Sequence, residues 1–304
     1  MKRFLTYTIL FVLPFVCATI SLEIYLRHRP NTYKYKYDWM QNNAEDVEIL
    51  ILGSSHTLNG IHPDYFNKKA FNLANNGQRA SQDLYLLKKW KDKYKRLKMI
   101  IFPISYFTWF IDEMENMSNN EPFRCMYYKI YMDCDLYSDF SLYNVALCDI
   151  LMKIKNGKLK TLFEIQELGC DKYGWGTLDN IGNKNLDTWE KADYMIEWST
   201  AKDKNAMYRN IANIIEIAKF SKKHNIQLIL ITTPCWHSYY KQLEQKQLNK
   251  MYKLTHALQK EYGIQYFDYL KDDRFIEEDF YDCSHLSNIG AEKFTKILKR
   301  DLGL

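Results

Sequence analysis

The chain has 304 residues, 47% of them apolar and 26% charged, which excludes a disordered polymer and leaves room for one large α/β domain or two small ones. Its net charge of +5, from 42 basic and 37 acidic residues, is spread along the chain, so the concentrated basic face of a nucleic-acid binder is missing and no such partner is expected. The seven cysteines form no CxxC pair, so no structural zinc site is expected, and they leave the redox compartment open.

From Phe4 to Leu22 no residue carries a charge. A hydrocarbon core about 30 Å thick needs roughly 20 helical residues, so this segment is long enough to span, and a membrane helix tolerates Pro14. Val16 and Ala18 form a small-residue pair after which a signal peptidase can cut. The apolar run continues past that point, so residues 1–22 are expected to stay as an uncleaved anchor. Lys2 and Arg3 precede the span, while Arg27, Arg29, Lys34 and Lys36 follow it. Counting positive charges places the following domain on the inner side.

Residues 23–46 are polar, rich in Tyr, Lys and Asn and without evident periodicity, and are expected as a linker. The α/β domain then runs from 47 to 304. Val47–Leu52 reads as a buried first strand, Ala70–Ala74 as a second, and Met99–Phe102 as a third, stopped by Pro103. Between the second and third, Ser81–Lys95 has helical spacing, with Leu84, Leu87 and Trp90 on one side. Residues from about 105 to 200 break the rhythm. Asn144–Lys155 is their best helix, and the stretch is expected as an insertion or cap over a site. Alternation returns with a helix at Asn205–His224, a strand at Gln227–Thr232, a helix at Leu243–Tyr262, a strand at Gln265–Phe267 and a helix at Asn288–Leu302. Strand–helix alternation at this spacing implies a doubly wound parallel sheet of flavodoxin-like layout.

Three short segments fall at strand ends, where open α/β sheets form their crevices. Gly53-Ser54-Ser55-His56 follows the first strand; alone, Ser55 is as well read as a turn serine or helix cap. Phe71-Asn72-Leu73-Ala74-Asn75-Asn76-Gly77 follows the second, and a glycine there lets the backbone aim an N–H at a developing oxyanion. Asp282-Cys283-Ser284-His285 precedes the last helix; Asp and His three residues apart can share a turn, although such clusters also merely cap helices or hold cations. A serine hydroxyl needs a base of this kind within about 3 Å to act as a nucleophile near neutral pH. His56 directly follows Ser55 and is expected to point away from the same site. Thr233-Pro234-Cys235-Trp236-His237 follows the fourth strand, and Trp236 and His237 are candidates for substrate contact or for an ordinary surface loop. Cys235 and Cys283 lie on loops expected to converge, and neither is placed where the base reaches it.

The order of these motifs resembles the SGNH/GDSL hydrolase superfamily over the domain from about 47 to 304, apart from the inserted middle. The anchor and the GSS form of the nucleophile turn are similar to membrane-tethered proteins that acylate cell-envelope polysaccharides, including alginate O-acetylation and D-alanyl-transfer proteins. The resemblance implies Ser55 as nucleophile, Asp282 and His285 as its partners, and the N–H groups of Ser55 and Gly77 as oxyanion donors. It also implies a domain on the outer side of the membrane, against the charge count, a polysaccharide or other acyl acceptor, and a membrane protein delivering the acyl donor. No metal and no cofactor is required by that chemistry. Two departures stand out. Ser54 replaces the Asp that ordinarily precedes the nucleophile, and Phe102-Pro103-Ile104-Ser105 replaces the G-x-N-D block whose Asn supplies an oxyanion donor. Ser105 is the candidate substitute. A protein that keeps the fold only to bind or assemble polymer, or a lone hydrolase, are the alternative readings.

Overall fold

The structure is a computed structural model that describes residues 1–112, 121–136, 168–179, 192–201 and 204–304, together with Ile154, Gly157, Gly182 and Lys184. Contacts divide the chain into two compact units, one of residues 1–35 and 114–168, the other of residues 36–113 and 169–304.

The larger unit is built on five parallel strands in the order β2-β1-β3-β4-β5, the doubly wound arrangement expected. These are β1 Ile49–Ile51, β2 Ala70–Asn72, β3 Met99–Pro103, β4 Gln227–Thr232 and β5 Gln265–Asp268. The first four are buried almost throughout, which is why they read as short unbroken apolar runs instead of alternating ones. Alternate residues still face opposite sides. Ile49, Ile51, Met99, Ile101, Ile229 and Ile231 line one side and pack with Phe294 and Leu298 of the last helix, Asn288–Asp301. On the other side lie the helices Ala80–Lys89 and Lys204–Lys223, packed on each other, the second also against β4.

Residues 32–43 are not the linker expected: Thr32–Asn43 is a helix. Lys36, Met40 and Ala44, four residues apart, are all buried, Trp39 stacks on Phe71 of β2 at 3.8 Å, and the Lys36 Nζ donates to the Ala74 carbonyl. A lysine at the start of the buried stripe hides the apolar periodicity. Burial lowers its pKa to about 7 against the raising influence of Cys170 and Asp171.

The expected 105–200 insertion is likewise not one cap. Its ends belong to the sheet unit, whereas 114–168 belongs to the other. Trp109 donates to Thr255 Oγ1 at 3.1 Å, and the helix Asp193–Ser199 is tied down by Gln247 Nε2, which donates to the Ser199 carbonyl at 2.9 Å. The helix expected at Asn144–Lys155 lies outside the described residues apart from Ile154. In the smaller unit, Lys2–Arg27 is a single helix, long and apolar enough to cross a membrane and exposed along nearly its whole length. It runs beyond Leu22, where an i,i+4 ion pair of Glu23 with Arg27 at 2.5 Å supports the last turn. Among the described residues of this unit, Glu121–Tyr131 is the other helix, and Tyr131 Oη donates to the Leu26 carbonyl at 3.3 Å.

The turn from β1 into the next helix, Ser55–Gly60, is closely packed. Gly53 has φ +108°, and a Cβ there would lie 2.1 Å from Pro103 Cγ and 2.9 Å from Thr57 Oγ1. Gly53→Ala therefore combines backbone strain with a collision against a rigid ring, and we expect it to lower stability by about 3–5 kcal/mol, read as a fall in melting temperature and denaturation midpoint.

Candidate active site

Three chain segments meet at the carboxyl edge of the sheet. Ser55 is the first residue of the short helix after β1, and its Oγ lies 2.8 Å from His285 Nε2. The other ring nitrogen of His285, Nδ1, lies 2.9 Å from Asp282 Oδ2 and 3.0 Å from Oδ1. The Asp282 carboxylate also accepts the backbone N–H groups of Ser284 and His285, each at 2.8 Å, so it cannot swing away from the ring. Tyr281 N–H donates to the His285 carbonyl at 2.9 Å, pinching the loop, and Ser287 caps the following helix through the Gly290 N–H. Serine, histidine and aspartate thus form a continuous hydrogen-bonded chain.

A second network fixes the turn that carries Ser55. Thr57 Oγ1 donates to the Leu52 carbonyl at 2.7 Å, and the Asn72 side-chain amide donates to the carbonyls of Thr57, Leu58 and Ile61 at 2.8, 3.3 and 3.0 Å. Buried Asp83 accepts the Gly53 N–H at 2.8 Å and the Gln78 amide at 2.6 Å. Burial pushes its carboxyl up to about 7 although both hydrogen bonds oppose the shift. Gly77 lies in the turn between these anchors with φ +67°, and this turn is bound to the Ser55 turn by the Asn75 N–H on the Gly53 carbonyl at 3.2 Å.

His56 does not turn away from the site. Its ring packs edge-to-face on His285 with centroids 5.0 Å apart, and its Nδ1 is 2.8 Å from Ser105 Oγ. An N1-to-N2 step on a helix rotates a side chain by about 100°, not 180°, so neighbours there can share one hollow. Ser105 is buried in the loop after β3, held by its N–H on Thr108 Oγ1 at 2.9 Å. Trp236 and His237 sit beside the site loop: the Trp236 N–H donates to the Cys283 carbonyl at 2.9 Å, but the indole packs on Phe280 and the core. The loops bearing Cys235 and Cys283 do converge. Burial raises the Cys283 thiol to about 12 and the Cys235 thiol well above its ordinary value, so neither is a ready thiolate.

Sequence reasoning missed Asp179. The segment 169–179 is strapped over the Ser55 helix: Gly176 N–H donates to the Leu58 carbonyl at 2.9 Å, Trp175 Nε1 donates to the Asn59 carbonyl at 2.7 Å, and the Asn59 amide donates to Asp179. A Cβ on Gly176 would fall 2.0 Å from Asn59 Oδ1, and that close approach is why a glycine stands there. Glycines at 174 and 176 were the signal available, and they read only as a loop.

The charges act on one another. Burial alone would lower the pKa of His285, but the charge and hydrogen bond of Asp282, with a further contribution from Asp179, raise it to about 9. Asp282 falls to about 2 for the same reason, against burial. His56 is driven the other way, down to about 3, by burial first and by the neighbouring His285 second.

No family model matches the chain, and no curated protein does. Among solved structures it is similar to a protein of Bacteroides fragilis NCTC 9343 provisionally assigned as an acylhydrolase, at 13% identity over 87% of this chain and 93% of that one, with a TM-score of 0.43. It is similar to a protein of Streptococcus pneumonia provisionally assigned as a platelet activating factor, also at 13% identity and TM-score 0.43, over 96% of this chain and 98% of that one.

Because the folded pKa of His285 exceeds its unfolded value, its pairing with Asp282 stabilises fully below about 6.5 and loses that contribution as pH rises through about 9. We expect an NMR titration of the His285 ring to give a pKa above the ordinary histidine range, and Asp179→Asn to lower it while leaving His56 neutral throughout.

Proposed function

We propose that this chain is a serine esterase or acyltransferase tethered to a membrane by its N-terminal helix, acting on an acyl ester or a sugar hydroxyl of a cell-envelope polysaccharide. The observation that carries the chemistry is the Ser55–His285–Asp282 relay, with 2.8 Å between hydroxyl and imidazole and 2.9 Å between imidazole and carboxylate. The neutral form of His285, which gains population as pH rises toward about 9, takes the proton of Ser55 Oγ at Nε2 as the oxygen attacks an ester carbonyl. The N–H groups of Ser55 and Gly77 accommodate the charge that develops on the carbonyl oxygen. Collapse expels the alcohol, which takes the proton from His285, and leaves an acyl-Ser55 that passes to a sugar hydroxyl or to water. Asp282 keeps Nδ1 protonated so that Nε2 faces the serine, and it stabilises the imidazolium. The motif order shared with envelope-acylating members of the SGNH/GDSL superfamily supports the polymer substrate, the outer-side domain and a membrane partner that delivers the acyl group.

In assays of ester turnover and polymer acylation, Ser55→Ala and His285→Ala should each lower kcat by about 10⁴–10⁶, and Asp282→Ala by ~10–100-fold less. Ser55→Ala removes one hydrogen bond and should change stability by no more than about 1 kcal/mol. A protein that only binds polymer would keep its function in Ser55→Ala and lose it on substitution of Trp236, and full activity in a folded Ser55→Ala variant ends the esterase reading. The topology has its own test. Intact mass should show an uncleaved N-terminus, and protease shaving of whole cells should digest the domain; a mature chain starting near Thr19, or a protected domain, contradicts it.

A further inference from the structure

The proposed oxyanion donors at Ser55 are two backbone N–H groups, and the described residues 104–112 of the loop after β3 carry no side-chain amide to add a third. The Ser105 hydroxyl in that loop is engaged by His56 Nδ1 at 2.8 Å. The rest of the His56 ring is wedged between Phe107, at 5.3 Å between centroids, and His285, at 5.0 Å. Among the described residues its Nε2 has no hydrogen-bond partner, while its neighbour in the chain is the proposed nucleophile. We propose that His56 is the third oxyanion donor, with its Nε2–H aimed at the carbonyl oxygen and its tautomer set by Ser105, whose O–H donates to Nδ1.

The inference rests on the acyl-transfer reading of Ser55. In the attack the Ser55 Oγ–C bond forms, the hydroxyl proton goes to His285 Nε2, and the carbonyl π pair moves onto oxygen. That oxygen then accepts hydrogen bonds from the N–H groups of Ser55 and Gly77 and from His56 Nε2–H. On collapse the pair returns, the bond to the leaving alkoxide breaks, and His285 supplies the proton to the alkoxide. His56 neither gains nor loses a proton. Such a donor has to be a neutral imidazole: an imidazolium beside the His285 imidazolium would meet a like charge 5.0 Å away across the ring centroids. Its burial and the proximity of His285 hold it neutral across the working range. Ser105 acts one step removed and is a positioning residue.

The test uses the full chain in detergent, an alkyl fluorophosphonate as probe of Ser55, and p-nitrophenyl acetate turnover. The phosphoryl oxygen of the probe occupies the same hollow as the oxyanion. His56→Phe should slow both Ser55 labelling and kcat by about 10²–10³ with little change in KM, as loss of one oxyanion donor does. His56→Gln, which can put an amide N–H near the position of Nε2, should recover at least tenfold of that loss. Ser105→Ala should cost about fivefold, the worth of one neutral hydrogen bond. A role in packing alone predicts equal losses for Phe and Gln and no effect on labelling rate. Should the Phe variant fail to fold, ¹⁵N-histidine spectra of the wild type decide the matter directly: the proposal requires His56 protonated at Nε2 and bare at Nδ1, and the opposite tautomer overturns it. Unchanged labelling in a folded His56→Phe protein also overturns it. Absence of Ser55 labelling in the wild type removes the acyl-transfer reading itself, and this inference with it.

Discussion

The site depends on one close approach, that of the Gly53 backbone to the ring of Pro103. Because nothing larger than hydrogen fits on Gly53, the chain leaves β1 with φ +108° and enters the Ser55 helix within two residues. That same residue presents its N–H to Asp83 and its carbonyl to Asn75, so the Ser55 turn, the Gly77 turn and the helix bearing Asp83 are locked to one glycine. Pro103 in turn begins the loop that carries Ser105. Three strand-end loops and the helix bearing Asp83 therefore share a single fixed point, and positional precision at Ser55 follows from it.

How much of this was legible in the sequence varies with the physics of each piece. The four strands buried almost throughout need apolar runs and were readable to within a few residues, as was the more exposed β5. The relay was readable because its three members lie at strand or helix ends in an order that topology brings together. Asn72 was visible only as part of a turn, since a side chain that satisfies three carbonyls leaves no pattern. The helix Thr32–Asn43 was missed because its buried stripe contains Lys36, a residue that composition assigns to water. Segment 169–179 was missed because its attachment is made by backbone N–H groups and by glycines whose reason lies in a distant neighbour. His56 was misjudged by applying the alternation of a strand to the first turn of a helix.

Two histidines in edge-to-face contact, His56 buried and His285 nearly so, have been driven in opposite directions. Burial disfavours the imidazolium in each. His285 overcomes it because Asp282 is fixed 2.9 Å away and Asp179 is held nearby by the strap over the Ser55 helix, whereas among the described residues the polar atom bound to His56 is a neutral hydroxyl. The outcome is a proton acceptor and a permanently neutral ring side by side. A pair whose environments separate their proton affinities can divide one reaction between them, the first moving protons and the second only offering a hydrogen bond. Asp179, which the strap of residues 169–179 brings near His285, adds to the effect of Asp282 on that ring, so the strap reinforces the difference between the two histidines that the Asp282 contact sets.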